Sequence, residues 1–470
     1  MPQAAKTAKA AVTKPAQAKP IKTKAIKTKA AKATEAAPAN ATVPDAIAAA
    51  RAHYAAANPE SLGLQGEAAK HLPGGNTRTT LFHGPFPLRF VKGEGYRLTD
   101  ADGHSYINFI SEYTAGMFGH SHPVIRRAIE KALDFGINIG GHTELEAKLA
   151  AAITTRMPNM ERVRFTNSGT EANLMNVQAA RAFTKRNKLL VFTGGYHGAV
   201  LYFRGGASPI NVPFETVIAD YNDLGGVEAL VRANARDLAC ILVEPMFGST
   251  GCVPAEKPFL EGLRRLTTEV GALLVFDEVM TSRLHPGGLQ AVHGVKPDLT
   301  TLGKYVGGGM SFGAFGGRAD VMALFDPSRP GALPHAGTFN NNVLTMSAGY
   351  AGLTELLTPE VQIAMNARGD KLRNRLNEIT RAAGVAMQFT GRGSMLAPHF
   401  HLDPVRNEAD TDKGNQDLKE LLYFDLLDRG IYIARRGMMV TNLVHDDDAY
   451  SALETAIEDF VRVRKRLLAG

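Results

Sequence analysis

The chain has 470 residues, 44% apolar and 21% charged, ordinary values for a globular protein long enough for two or three domains or one large α/β subunit with a smaller partner domain. Its formal charge of +7 is local: residues 1–43 hold nine lysines, from Lys6 to Lys32, against one acid, Glu35, leaving the remainder at −1 and without a general reason to bind nucleic acid. Cys240 and Cys252 are too few for a disulfide framework and not spaced as a metal site, and no apolar stretch marks a secretory signal, so a reduced, cytoplasmic setting is expected.

In chain order, residues 1–43 are Ala, Lys, Pro and Thr, with IKTKA repeated at 21–30. Such a segment cannot bury a core, so it is expected to be disordered, either as a solvated leader or as a polyanion-binding tail. An Ala-rich helix is predicted from Pro44 to Ala57, followed by the Gly/Pro-rich PGGNTRTTLFHGPFP at 73–87. Residues 90–109 alternate apolar positions on either side of Asp100-Ala101-Asp102-Gly103 and read as two strands around a turn.

From Pro123 helices alternate with short apolar strands: VRFT (163–166), LLVF (189–192), ACILVEP (239–245), ALLVFDEV (272–279) and LTTLGK (299–304). Buried strands alternating with helices predict an α/β fold with a mostly parallel, doubly wound sheet. The longest run without Asp, Glu, Lys or Arg, Pro330–Thr354, contains His335 and three consecutive asparagines and is not a membrane span. Beyond Thr354 a long polar helix and further strands predict a smaller second domain.

Four segments carry candidate chemistry. At Ser168-Gly169-Thr170-Glu171 a strand gives way to a helix with the form of a capping box, and its free amides and hydroxyls suit a phosphate. GGYHGA (194–199) presents Tyr196 on a loop at a strand's C-terminal end, where α/β folds bind ligands. Asp277, at the end of a buried strand, needs a partner, and a pyridinium N–H would serve. Lys304 follows a strand and is flanked by glycines that let a ligand approach the backbone; a nucleophilic lysine needs such a desolvated site. The GMSFG at 309–313 lacks the strand–elbow–helix setting of a hydrolase, and no Walker pattern occurs.

In this order, NSGTEA, GGYHG, Glu244-Pro245, FDEV and TLGK resemble the class III aminotransferases of pyridoxal-phosphate (PLP) fold type I, from about residue 45 to the C-terminus. The resemblance implies a large domain (116–354) with a mostly parallel seven-stranded sheet between helices, and a smaller α+β domain from both chain ends (44–115 and 355–470). It implies that Lys304 carries PLP as a Schiff base and shuttles the substrate proton, and that Asp277 pairs with the pyridine nitrogen. Val279 and Tyr196 would cover the two ring faces, and Ser168, Gly169 and Thr170 would bind the phosphate. Glu244 would lie near the cofactor, and Thr338 would reach the partner's phosphate across a homodimer interface.

Within the family, SEYTAGMFGHS (111–121) and LGKYVGGGMSFGAFGGRADVMALFDP (302–327) are similar to β-amino-acid (β-phenylalanine) aminotransferases. There Arg78 would hold the donor's carboxylate and Arg436, or its neighbour Arg435, that of a 2-oxoglutarate acceptor, with ping-pong turnover. The same motifs resemble glutamate-1-semialdehyde 2,1-aminomutase, and a nucleic-acid-associated protein acting through the basic tail is the alternative of another class.

Overall fold

The computed structural model describes residues 41–137 and 139–469; the expectations placed on residues 1–40 of the tail lie outside them. The first helix, Val43–Ala57, starts where Thr42 and Asp45 cap each other reciprocally. Residues 90–109 form three strands where two were predicted: β1 (Phe90–Glu94), β2 (Arg97–Asp100) and β3 (Ser105–Asn108). The additional reversal falls at Gly95, whose φ of 56° suits glycine.

The large sheet comprises β4 (Arg162–Thr166), β5 (Lys188–Phe192), β6 (Thr216–Ala219) and β7 (Leu238–Val243). After a two-strand ribbon, β8 (Met246–Phe247) and β9 (Val253–Pro254), it is completed by β10 (Leu273–Asp277), β11 (Leu299–Gly303) and β12 (Gly313–Gly317). The seven strands run in the order β4-β12-β11-β10-β7-β5-β6. All neighbours are parallel except β12, which is antiparallel to both β11 and β4. The mostly parallel seven-stranded sheet expected from the motifs is therefore present.

The near-continuous apolar runs follow from burial of both sheet faces. Leu190, Phe192, Ile241, Val243, Leu274 and Phe276 point to one side, against Phe259 and Leu263 of the helix Lys257–Val270. Their neighbours Leu189, Val191, Cys240, Leu242, Leu273 and Val275 point to the other, against Ala172, Val177 and Ala180 of the helix Gly169–Thr184.

The chain's two ends share another core. Ala46, Tyr54 and Phe109 pack with Leu376, Leu422, Phe424 and Phe460, around a four-stranded sheet of β1-β2-β3 with β15 (Ile431–Tyr432). Strands β13 (Gln388–Arg392), β14 (Met395–His399) and β16 (Met439–Val440) form a third sheet, and the long polar helix is Pro359–Ala383. Among the described residues no helix is long and apolar enough to cross a membrane.

One consequence of the topology positions the site. Strands β4, β5, β7, β10 and β11 share one direction, so Ser168, Tyr196, Glu244, Asp277 and Lys304 all emerge at the same sheet edge, the edge where open α/β sheets take ligands.

Candidate active site

Ser168 caps the helix Gly169–Thr184, its Oγ accepting from the Glu171 amide at 3.2 Å. Glu171 returns the bond one residue earlier than the capping-box pattern predicts, to the Asn167 amide at 2.8 Å. With the Ala172 amide bonded to the Ser168 carbonyl, the Gly169 and Thr170 amides are the first-turn donors left for an anion among the described residues. A Cβ at Gly169 would meet Val279 Cγ2 and Cγ1 at 2.9 and 3.0 Å, and one at Gly303 would lie 3.2 Å from Val279 Cγ1. The candidate phosphate turn, Val279 and the residue preceding Lys304 are thus in direct contact. Thr170 packs against the loop of Tyr196, where a Cβ at Gly198 would collide with its side chain.

Asp277 is 4% exposed. Its Oδ2 accepts from Asn173 Nδ2 at 2.8 Å and lies 2.9 Å from His197 Nδ1, while Oδ1 accepts from the Val279 amide at 3.0 Å. With the carboxylate as acceptor, the imidazole N–H of His197 is the donor. Glu278 points elsewhere, buried against the Leu289 and Gln290 amides and the Thr281 hydroxyl; the two acids do not form a pair at the surface.

Glu244 is buried too, accepting from the Tyr196 and Gly248 amides at 3.0 Å each. Burial, reinforced by nearby Asp277 and opposed by His197, pushes its carboxyl up to about 7. Tyr196 remains 36% exposed, its backbone fixed by Glu244.

Lys304 sits on a left-handed backbone (φ 54°) and is half-buried. Loss of hydration pulls its amine down to about 8; Asp277 and Glu244 oppose this, while Arg78 and Arg436 act in the same direction. Lys304 thus shares one electrostatic neighbourhood with both candidate acids and both candidate arginines. Arg78 pairs with Glu112 at 2.7 Å. Arg435 pairs with Glu420 at 2.5 Å, next to Arg51 on the same carboxylate. Arg436 has no ion pair among the described residues, and its buried Nε has no partner. Of these neighbours, Arg435 is engaged by Glu420 and Arg436 is not. Thr338 is the predicted residue that the structure does not tie to this group. It lies on an exposed loop, which Asn340 fastens to Asn167 at 3.0 Å.

Four residues escaped sequence reasoning. Asn173 and His197 hold Asp277, and the signal was available: an asparagine in a helix facing an apolar sheet needs a polar partner. The others are Glu112 and Tyr113, on the turn Ser111–Thr114, where four consecutive non-glycine residues have φ of 40, 49, 50 and 81°. Such conformations cost on the order of 1–3 kcal/mol each and persist where the surroundings enforce them, as they do at functional sites.

As a whole, the arrangement offers two free amides at a helix start, a buried carboxylate that bonds the Val279 amide, an amine near 8 and two guanidinium groups. These suit PLP and a carboxylate-bearing amine.

Known proteins resemble this chain over most of its length. The family described as aminotransferase class-III matches residues 82–460. A β-phenylalanine transaminase of Variovorax paradoxus is 52% identical over 422 residues, covering 90% of this chain and 97% of that protein. A crystal structure of a β-phenylalanine aminotransferase from the same organism superposes with a TM-score of 0.90 at 51% identity, covering 91% and 99%. A glutamate-1-semialdehyde 2,1-aminomutase of Desulforudis audaxviator is 39% identical, covering 84% and 96%.

Proposed function

Since this chain belongs to the class III aminotransferases, we propose that it is a PLP-dependent transaminase moving the amino group of a β-amino acid such as β-phenylalanine to a keto acid such as 2-oxoglutarate. The observation that carries the reading is the half-buried Lys304, its amine pulled down to about 8 by loss of hydration and acted on by the charges of Asp277, Glu244, Arg78 and the unpaired Arg436.

When bound, PLP supplies the electron sink that takes up the pair released when the bond beside the amino nitrogen breaks. The chain supplies the rest. The Gly169 and Thr170 amides with the Ser168 hydroxyl would hold the phosphate. Val279 and Tyr196 would flank the ring, and Asp277, held in place by Asn173, His197 and the Val279 amide, would be the partner of the ring nitrogen's N–H. An amine pulled from 10.5 to about 8 is neutral often enough near neutral pH for Lys304 Nζ to take the proton from the carbon bearing nitrogen. Arg78 fixes the carboxylate of the donor and Arg436 that of the acceptor; a planar guanidinium does this bidentately, which a lysine cannot. The donor's keto product leaves before the acceptor enters, giving ping-pong kinetics. The exposed Thr338 loop suits a role at a homodimer interface, where Thr338 reaches the partner's phosphate.

Borohydride treatment of the PLP-loaded protein tests the assignment of Lys304. Mass spectrometry should find the cofactor's mass fixed on the peptide carrying Lys304. Label on another lysine, or none, would refute it. Turnover of glutamate-1-semialdehyde without any added keto acid would instead favour the aminomutase.

A further inference from the structure

Arg78 and Arg436 come from opposite ends of the chain, yet both guanidinium groups lie against one aromatic ring. The Arg436 Cζ is 5.1 Å and the Arg78 Cζ 6.0 Å from the centroid of Tyr113, within the range at which a ring face attracts a cation. Tyr113 is 7% exposed and sits in the left-handed turn Ser111–Thr114.

That turn is pinned from several sides. The Ser111 amide donates to Asn108 Oδ1 at 3.1 Å, Asn442 Nδ2 to Ser111 Oγ at 2.9 Å, and the Tyr113 hydroxyl to the Thr80 carbonyl at 3.1 Å. The Thr114 carbonyl accepts from Arg283 Nη1 at 3.1 Å. Arg283 is wholly buried and has no acidic partner among the described residues; its remaining bonds go to Ser394 Oγ, the Thr441 carbonyl and the Met117 sulfur. A guanidinium buried without a counter-ion is unfavourable. What it does here is bind the strand-end segment after Asp277 to the turn and to the residues around β14 and β16.

We propose that Tyr113 is a positioning residue for both substrate carboxylates: its ring is the common rest against which Arg78 and Arg436 are aligned. This rests on the reading of the two arginines given above. The hydroxyl only anchors the ring through Thr80, so phenylalanine keeps the rest and leucine removes it. The two arginines respond unequally, because Arg78 keeps its ion pair with Glu112 while Arg436 has no second hold.

The test is calorimetric binding to the full-length PLP-loaded protein of two unreactive carboxylates: 3-phenylpropionate as a donor-like probe and glutarate as an acceptor-like probe. Tyr113→Leu should weaken glutarate roughly five- to twentyfold and 3-phenylpropionate about two- to threefold, with Tyr113→Phe close to the parent for both. Retention of PLP should stay at the parental value while the melting temperature falls by a few degrees, the cost of truncating a buried ring, and in an Arg436→Ala background Tyr113→Leu should weaken glutarate no further. Unchanged binding in Tyr113→Leu overturns the proposal. So does equal loss of both probes together with the cofactor, which would mean that the turn has collapsed. If the parent binds neither probe, the reading of the arginines fails first, and the proposal falls with it.

Discussion

Gly169 gives the sharpest steric test of the cofactor slot. A methyl group there would sit 2.9 and 3.0 Å from the Val279 methyls, inside the roughly 3.5–4.0 Å at which apolar carbons rest. Val279 cannot retreat freely: its amide is fixed on Asp277 Oδ1, and Gly303 closes its other side. In Gly169→Ala the valine is therefore pushed into the space assigned to the ring. Overpacking of this kind costs roughly 1–3 kcal/mol, and where the displaced valine meets the ring the penalty falls on PLP binding. At about 1.4 kcal/mol per decade, the dissociation constant should rise roughly 5- to 150-fold. Titration of the apo-protein with PLP, followed by absorbance, measures this, and the apo-protein's melting temperature checks that the helix is intact. Adding Val279→Ala should recover most of the loss. Parental affinity in Gly169→Ala, or no recovery in the double variant, would refute the placement of Val279 against the ring.

Four further outcomes are expected. Arg436→Ala should raise the KM for the keto acid roughly tenfold or more, the scale of a charge-assisted hydrogen bond, whereas Arg435→Ala should leave it near the parent, since Arg435 serves Glu420; steady-state kinetics with both substrates varied separates them. Asp277→Ala should keep weak PLP binding but lower kcat on the order of a hundredfold or more, measured on protein saturated with PLP. The rate at which apo-protein captures PLP should rise with pH through about 8 and then level off, because the neutral Lys304 amine is the reacting form; a stopped-flow midpoint near 10.5, that of an unperturbed lysine, would show that burial does not act. His83, His399 and His445 are held neutral mainly by burial, at about 4, 4 and 3 against an ordinary 6.5. The unfolded chain therefore binds more protons between those values and 6.5, so their stabilisation is complete above about 6.5 and is lost as pH falls. From pH 7 to 5 each should withdraw roughly 2 kcal/mol, seen in urea unfolding curves of the apo-protein, with His445→Phe flattening the slope.

Much of the fold was legible because the apolar runs LLVF, ACILVEP and LLVFD are strands buried on both faces, and only parallel strands covered by helices read that way. Strand β12, GAFGG, was not legible. Gly313, Gly316 and Gly317 leave no room for side chains against β4 and β11, so its composition mimics a loop. Short β6 also escaped, for want of a distinctive pattern. At the site, Lys304 and Asp277 could be found because each ends a strand and their chemistry is conspicuous.

Tyr113 could not be found in this way. Its position depends on a left-handed backbone that no residue in SEYT announces, and on partners more than 300 residues away, Asn442 and Arg436. The ion pair that separates Arg435 from Arg436 likewise needed Glu420 in place.

The most direct test of the central claim is a single-turnover mixing experiment. PLP-loaded protein mixed with β-phenylalanine should lose the absorbance band of its bound cofactor at a rate that saturates with donor, and 2-oxoglutarate added afterwards should restore it. A band that stays unchanged with β-phenylalanine, while α- and ω-amino acids discharge it, would contradict the β-amino-acid assignment. A band unmoved by any amine would contradict the transaminase itself.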